Sequence, residues 1–129
     1  MKPPINTKVF EGYLATFWLD ESGILYAKGK KVPRSLQTQK ENYEFIKQIT
    51  GNKKVCLLSD TTTTSPQDKA TRDYIETELP NMFTAMAIIS KSAVGEIIPK
   101  LFTTINKQSI PMQFFSSETE AKQWLKQYL

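Results

Sequence analysis

The sequence predicts an α/β domain whose five-stranded mixed sheet is mostly parallel, with an antiparallel first strand. Two observations predict it. Short apolar runs are followed by amphipathic helix signals four times along the chain, and repeated strand-then-helix units build parallel sheets. Ahead of the first helix, two strand-like runs are separated only by Glu21-Ser22-Gly23, a spacing that makes them a β-hairpin. The element order is β-β-α-β-α-β-α-β-α. At 129 residues the chain is read as a single domain, 1–129, in which residues 1–12 are a lead-in where Pro3-Pro4 opposes regular structure.

The hairpin pairs Leu14–Asp20 with Ile24–Lys28. Pro33-Arg34-Ser35 then leads into a helix over Leu36 to Thr50, with Leu36, Tyr43, Ile46 and Ile49 near one face and Gly51-Asn52 as a left-handed end. Lys53 to Ser59 reads as a central parallel strand, apolar on both faces, and Asp60 to Ser65 as the loop after it. Ser65-Pro66-Gln67-Asp68 joins a capping serine, a proline at the first helical position and an acid in the first turn. A second helix is therefore expected there, carrying Ala70, Tyr74 and Ile75 and stopped by Pro80-Asn81. Met82 to Ile89 is the fourth strand. A third helix follows Ser90-Lys91-Ser92, with Val94, Ile97, Ile98, Leu101, Phe102 and Ile105 as its apolar positions and a kink at Pro99. The fifth strand is Ile110 to Phe115. The last helix opens on the capping box Ser117-x-x-Glu120 and shows the stripe Ala121, Trp124, Leu125 and Tyr128.

Composition narrows the chemistry. Histidine is absent, which removes the commonest general base and transition-metal ligand, and with them the usual triads and zinc sites. Cys56, the single cysteine, lies inside Val55-Cys56-Leu57-Leu58 and reads as a small buried hydrophobe. No apolar run approaches the ~20 residues of a membrane span, so no membrane insertion is expected. The N-terminus lacks a secretory h-region, which makes a cytoplasmic address the expectation. The net charge of +4 arises wholly in the first half, where ten Lys and Arg face six Asp and Glu in residues 1–64, against seven and seven in 65–129. Without an arginine cluster, a glycine-rich RNA-binding signature or zinc-finger spacing, this basic excess reads as a solvated face and not as a nucleic-acid site. No GxxxxGK[ST] or GxGxxG pattern is present, so no cofactor is assigned. No catalytic residue or metal ligand is assigned either, and a non-enzyme is the expected class.

Parallel strands bring their C-terminal ends, and the loops that follow them, to one edge. That edge gathers Lys30, Lys31, Arg34 and Lys91 beside Asp60 and the hydroxyl-rich Thr63, Thr64 and Ser65. Lysines and helix N-termini both favour anions, so the edge is the candidate surface for a partner or an anion. Helices carried in one direction across a sheet leave its other face bare. A two-fold homodimer, or the N-terminal Val9, Phe10 and Tyr13, is expected to cover it.

The stretches Ala15-Thr16-Phe17-Trp18-Leu19-Asp20-Glu21-Ser22-Gly23-Ile24-Leu25, Ala70-Thr71-Arg72-Asp73-Tyr74 and Asn106-Lys107 to Leu129, in this element order, resemble the STAS domains of anti-sigma-factor antagonists. More narrowly, the chain resembles small bacterial STAS-like or SpoIIAA-like proteins, whose fold is related to the CRAL-TRIO lipid-binding fold. The resemblance implies a non-catalytic regulatory or protein-interaction module with a protein partner. In the antagonists it resembles, a hydroxyl after the third strand is a phospho-switch. The matching candidate phosphoacceptors here are Thr64 and Ser65, although the Asp-Ser-Ser/Thr-Gly stretch of the antagonists is missing and Pro66 follows. The CRAL-TRIO kinship implies an alternative, a carrier or sensor of a small anionic or lipid-like ligand, held among residues such as Ile97, Leu101, Phe102 and Phe114.

Overall fold

The computed structural model describes residues 1–62, 67–90 and 110–129. Its strands are β1 (Phe10–Glu11), β2 (Ala15–Leu19), β3 (Leu25–Gly29), β4 (Val55–Asp60), β5 (Phe83–Ile89) and β6 (Met112–Phe115). Its helices are α1 (Leu36–Thr50), α2 (Lys69–Met82) and α3 (Glu118–Leu125), with one 3₁₀ turn at Lys126–Tyr128. The six strands lie side by side in chain order. Antiparallel pairing joins β1 to β2 and β2 to β3, and every later pair is parallel. The mixed α/β sheet expected from the sequence is therefore present with one strand more. The extra strand is β1, inside the expected lead-in, where Phe10 pairs with Phe17 and Glu11 with Thr16. Gly12 turns the chain between them, and a side chain there would meet the Phe45 ring at 3.1 Å.

Alternation along the strands sorts the sheet residues into two cores. Phe17, Leu25, Ala27, Leu57, Met86 and Ile88 face α1 and α2, which contribute Tyr43, Ile46, Leu79 and Met82. Trp18, Tyr26, Cys56, Leu58, Ala87 and Ile89 face α3, which contributes Ala121 and Leu125. The second face is thus covered by this chain's own C-terminal helix, and that cover removes the reason for expecting a dimer. Of the N-terminal residues expected to supply it, Phe10 packs on the first core and Val9 and Tyr13 are exposed, whereas Met1 packs against the second core. Burial of two such faces at about 25 cal/mol per Å² is the main stabilising term, and the stacked Trp18–Tyr26 pair adds to it.

Local chemistry sets the element ends. Ser35 and Thr38 form a reciprocal capping box at the start of α1, and Gly51 ends it at φ 65°, where a Cβ would be strained. Ser117 caps α3 through the Glu120 N–H at 3.2 Å, as its sequence motif predicts. The α2 start differs from expectation. Its cap is Asp68, whose carboxylate accepts the Thr71 N–H at 2.8 Å; the neighbouring Thr71 holds the carboxyl below its usual range. Pro80 does not stop α2 but lies in its last turn, because Leu79, Met82 and Phe83 are all buried and pin the chain through it. Strand β5 follows without a loop and accommodates a bulge between its pairings with Val55 and Leu57. Asp60, expected in a loop, is the last residue of β4. The expected third helix, with the kink at Pro99, lies outside the described residues.

Candidate functional site

The two ends of the α1/α2 face are packed differently, and the register shows why. Near the N-terminal ends of the parallel strands, one row across the sheet reads Leu19, Leu25, Leu57, Met86 and Met112. Large side chains there fill the space beneath the helices. Towards the C-terminal ends the next row reads Phe17, Ala27, Ser59, Ile88 and Phe114, with its small residues on β3 and β4, and beyond it Ala15 pairs with Gly29. Small residues thus fall together at one corner of the sheet, under the first half of α1. Close-packed interiors leave few voids larger than a water molecule. Here the small floor leaves a cavity of about 470 Å³, within the size range of small-molecule sites.

Sheet residues form the floor of this cavity, and α1 and α2 its walls. Phe17, Tyr43, Ile46, Leu57, Leu79 and Ile88 make it largely apolar. Three polar side chains enter it from the start of α1. Gln39 is only 4% exposed, lines the cavity, and its amide makes no hydrogen bond with another described residue. Asn42, one turn on, has a buried Oδ1 without a hydrogen-bond partner. Arg34, half-buried just before the helix, donates from Nη2 to the carbonyls of Leu14 at 3.1 Å and Lys30 at 3.3 Å. Its Nε is buried without a partner, and among the described residues no carboxylate forms an ion pair with it. Burial lowers the pKa of this guanidinium, as removal of a cation from water must. On the α2 rim Lys69 is paired with Asp73 at 2.8 Å, Arg72 donates to the Gln67 carbonyl at 3.0 Å, and Glu76 adds a second carboxylate.

The residues expected at this edge divide into three groups. Lys30 is committed to the β1–β2 turn, its Nζ 3.0 Å from Glu11 Oε2 and 2.7 Å from the Gly12 carbonyl; this contact, with help from Thr16, holds the Glu11 carboxyl below its usual range. Lys31 is exposed. Asp60 is buried on the Leu58 side of β4, away from the cavity, and accepts the Thr62 N–H at 3.0 Å and hydroxyl at 2.7 Å. Thr63, Thr64, Ser65 and Lys91 lie outside the described residues. Of the described members of the expected set, Arg34 alone lines the cavity. Sequence reading passed over Gln39 and Asn42. The signal for Gln39 was its place four residues before Tyr43 and seven before Ile46, a polar side chain on the core stripe of a helix. Among the described residues no group of three His, Cys, Asp or Glu side chains could hold a metal ion, and no helix is long and apolar enough to cross a membrane.

In fold the chain is similar to an uncharacterized DUF3478-family protein with a SpoIIAA-like fold, known from a crystal structure from Shewanella loihica PV-4. The two match with a TM-score of 0.56 and 17% identity over 97% of this chain and 98% of the other. The SpoIIAA-like fold expected from the sequence is therefore the fold found. No curated protein matches the chain. Residues 17–129 match the family described as a domain of unknown function, DUF7793, and the protein belongs to that family.

Proposed function

We propose that this protein is a non-catalytic binding module that encloses a small molecule with an apolar body between α1, α2 and the sheet, and acts as its carrier or sensor. The observation that carries this reading is the coincidence of a small-residue floor with the buried Asn42 Oδ1 and Arg34 Nε, neither with a hydrogen-bond partner, in the wall above it. A buried polar group without a partner costs free energy, and a floor of Ala, Gly and Ser forgoes apolar contacts that larger residues would make. Both costs have a use if a ligand fills the void and satisfies these atoms. A regulatory role through a protein partner is compatible with this reading, since ligand occupancy at the C-terminal edge of the strands would alter the surface that a partner meets. The hydroxyls Thr64 and Ser65 are not needed for it.

The test is thermal stabilisation of the purified protein by a panel of small amphiphiles, repeated on Ala27→Leu, which fills the floor. A ligand that occupies the native state raises the melting temperature by mass action. Wild-type protein is expected to respond to members of the panel and Ala27→Leu, still folded by circular dichroism, to lose that response. No response to any member, or an equal response from the filled variant, defeats the reading.

A further inference from the structure

The ligand's polar end can be inferred from the charges around the cavity, on the footing of the reading just given. We propose that the molecule is an amphipathic anion, such as a carboxylic acid with an apolar tail, whose head group is the counter-ion of Arg34. The guanidinium is half-buried, and of the described residues only backbone carbonyls hold it. A cation removed from water is normally paired with an acid or solvated. Carbonyl oxygens satisfy part of its hydrogen-bonding capacity but supply no opposite charge. Arginine's planar fork suits a carboxylate, and the remaining donor edge meets no acid among the described residues.

The opposite rim argues for the same orientation. Asp73 and Glu76 stand on α2 beside Lys69 and Arg72, so the charges of that rim balance, and Asp73 is paired with Lys69. An anionic head gains no net attraction there and is drawn to the α1 side, where Arg34 meets no acid among the described residues. There the Gln39 amide can donate a further hydrogen bond. The tail then lies over Ala27 and Ser59 towards Ile46 and Leu79, where the lining is apolar. A cationic amphiphile would reverse this arrangement and turn its head to Glu76, leaving Arg34 unpaired.

Three probes of equal tail length separate these cases: decanoate, decanol and decylamine, each titrated by calorimetry into wild-type protein. Decanoate is expected to bind about ten-fold more tightly than decanol, the scale of one charge-assisted hydrogen-bonded pair, and decylamine more weakly than either. Arg34→Gln should remove that preference while decanol affinity stays within about two-fold. Because Arg34 also holds the Leu14 and Lys30 carbonyls, Arg34→Lys serves as the control that keeps the charge, and it should retain the preference for the acid. If decanol binds as tightly as decanoate, or the amine binds best, the anion assignment is overturned while the cavity reading stands. If none of the three binds, both fall. The wild-type comparison decides the question even if a variant fails to fold.

Discussion

Replacing Gln39 with leucine is the substitution in which stability and function are expected to part most clearly. Gln39 is 4% exposed as a residue and borders a cavity whose other lining is mostly apolar, and its amide makes no hydrogen bond with another described residue. Leaving such a group unpaired costs roughly 1–3 kcal/mol, and the lower end applies to a group that borders open space. Leucine has similar length, no polar group to satisfy, and apolar neighbours in Tyr43 and Leu57 that line the same space. Gln39→Leu should therefore stabilise the protein by about 1 kcal/mol, which for a domain of this size is a rise in Tm of about 3–5 °C. Urea unfolding followed by tryptophan fluorescence reads it directly: Trp18 is buried in the core, and the midpoint should rise with no change in slope. The same variant should bind decanoate about five-fold more weakly, having lost one donor to the head group. A loss of 1 kcal/mol or more would refute this reasoning, since it would mean that the amide has a partner in the folded protein.

Other substitutions test the frame around the site. Leu125→Asp places a charge in the core between α3 and the sheet, where Leu125 is fully buried; it should cost at least about 3 kcal/mol and expose the second face, so light scattering should show more self-association than for the wild type. Asp20 accepts the Ser22 N–H at 2.9 Å, the Ser22 hydroxyl at 2.7 Å, the Ile24 N–H at 3.0 Å and the Tyr26 hydroxyl at 3.1 Å, and Asp20→Ala should lower the unfolding free energy by about 2–3 kcal/mol. Much of that loss should persist in a Tyr26→Phe background, because three of the four bonds hold the turn and not the ring; full additivity in a double-mutant cycle would mean that the Tyr26 contact contributes nothing. Burial raises the Cys56 thiol pKa, so the thiolate is scarce at neutral pH, and a disulfide reagent should label the native protein only at its rate of opening. Prompt stoichiometric labelling would contradict that burial.

The fold was legible because its signals are local and mutually consistent. The hairpin turn at Glu21-Ser22-Gly23, the Gly51 helix end and the Ser117 cap are each set by a few adjacent residues, and each appears where the sequence places it. What was missed depends on contacts distant in sequence. Strand β1 is only two residues long and exists because Phe10 and Glu11 meet a strand already held in the sheet. Pro80 reads as a stop in isolation, yet burial of its neighbours carries the helix past it. The cover on the second face was missed for the same reason, since the side of the sheet on which a terminal helix lies is not a local property. The site was legible only in part. Arg34 stood out as a cation near the strand ends, but Ala15, Ala27, Gly29 and Ser59 are ordinary residues until the register sets them side by side.

A cavity of this size persists only where the elements around it cannot relax into it, since collapse would recover the missing contacts. The two helices above the void are braced at several points. The Ser35–Thr38 box fixes the start of α1, and Arg34 ties the preceding loop to the carbonyls of Leu14 and Lys30. Further along, Tyr43 stacks on Tyr74 at 5.8 Å and meets Phe83 edge-on. Lys47 bridges α1 to Glu78 of α2 at 3.6 Å. These contacts lie at the margins of the void or beyond it, so they hold the helices at a fixed height over the small-residue floor. Arg34 then has two roles through different atoms: Nη2 braces the loop, and Nε lies buried without a partner in a side chain that lines the site and meets no acid among the described residues. Loss of the whole side chain should therefore lower stability and anion preference together, whereas a change of ligand charge at constant tail length touches only the second. That asymmetry makes the acid-to-alcohol comparison in the unaltered protein a cleaner measure of the site than any single substitution.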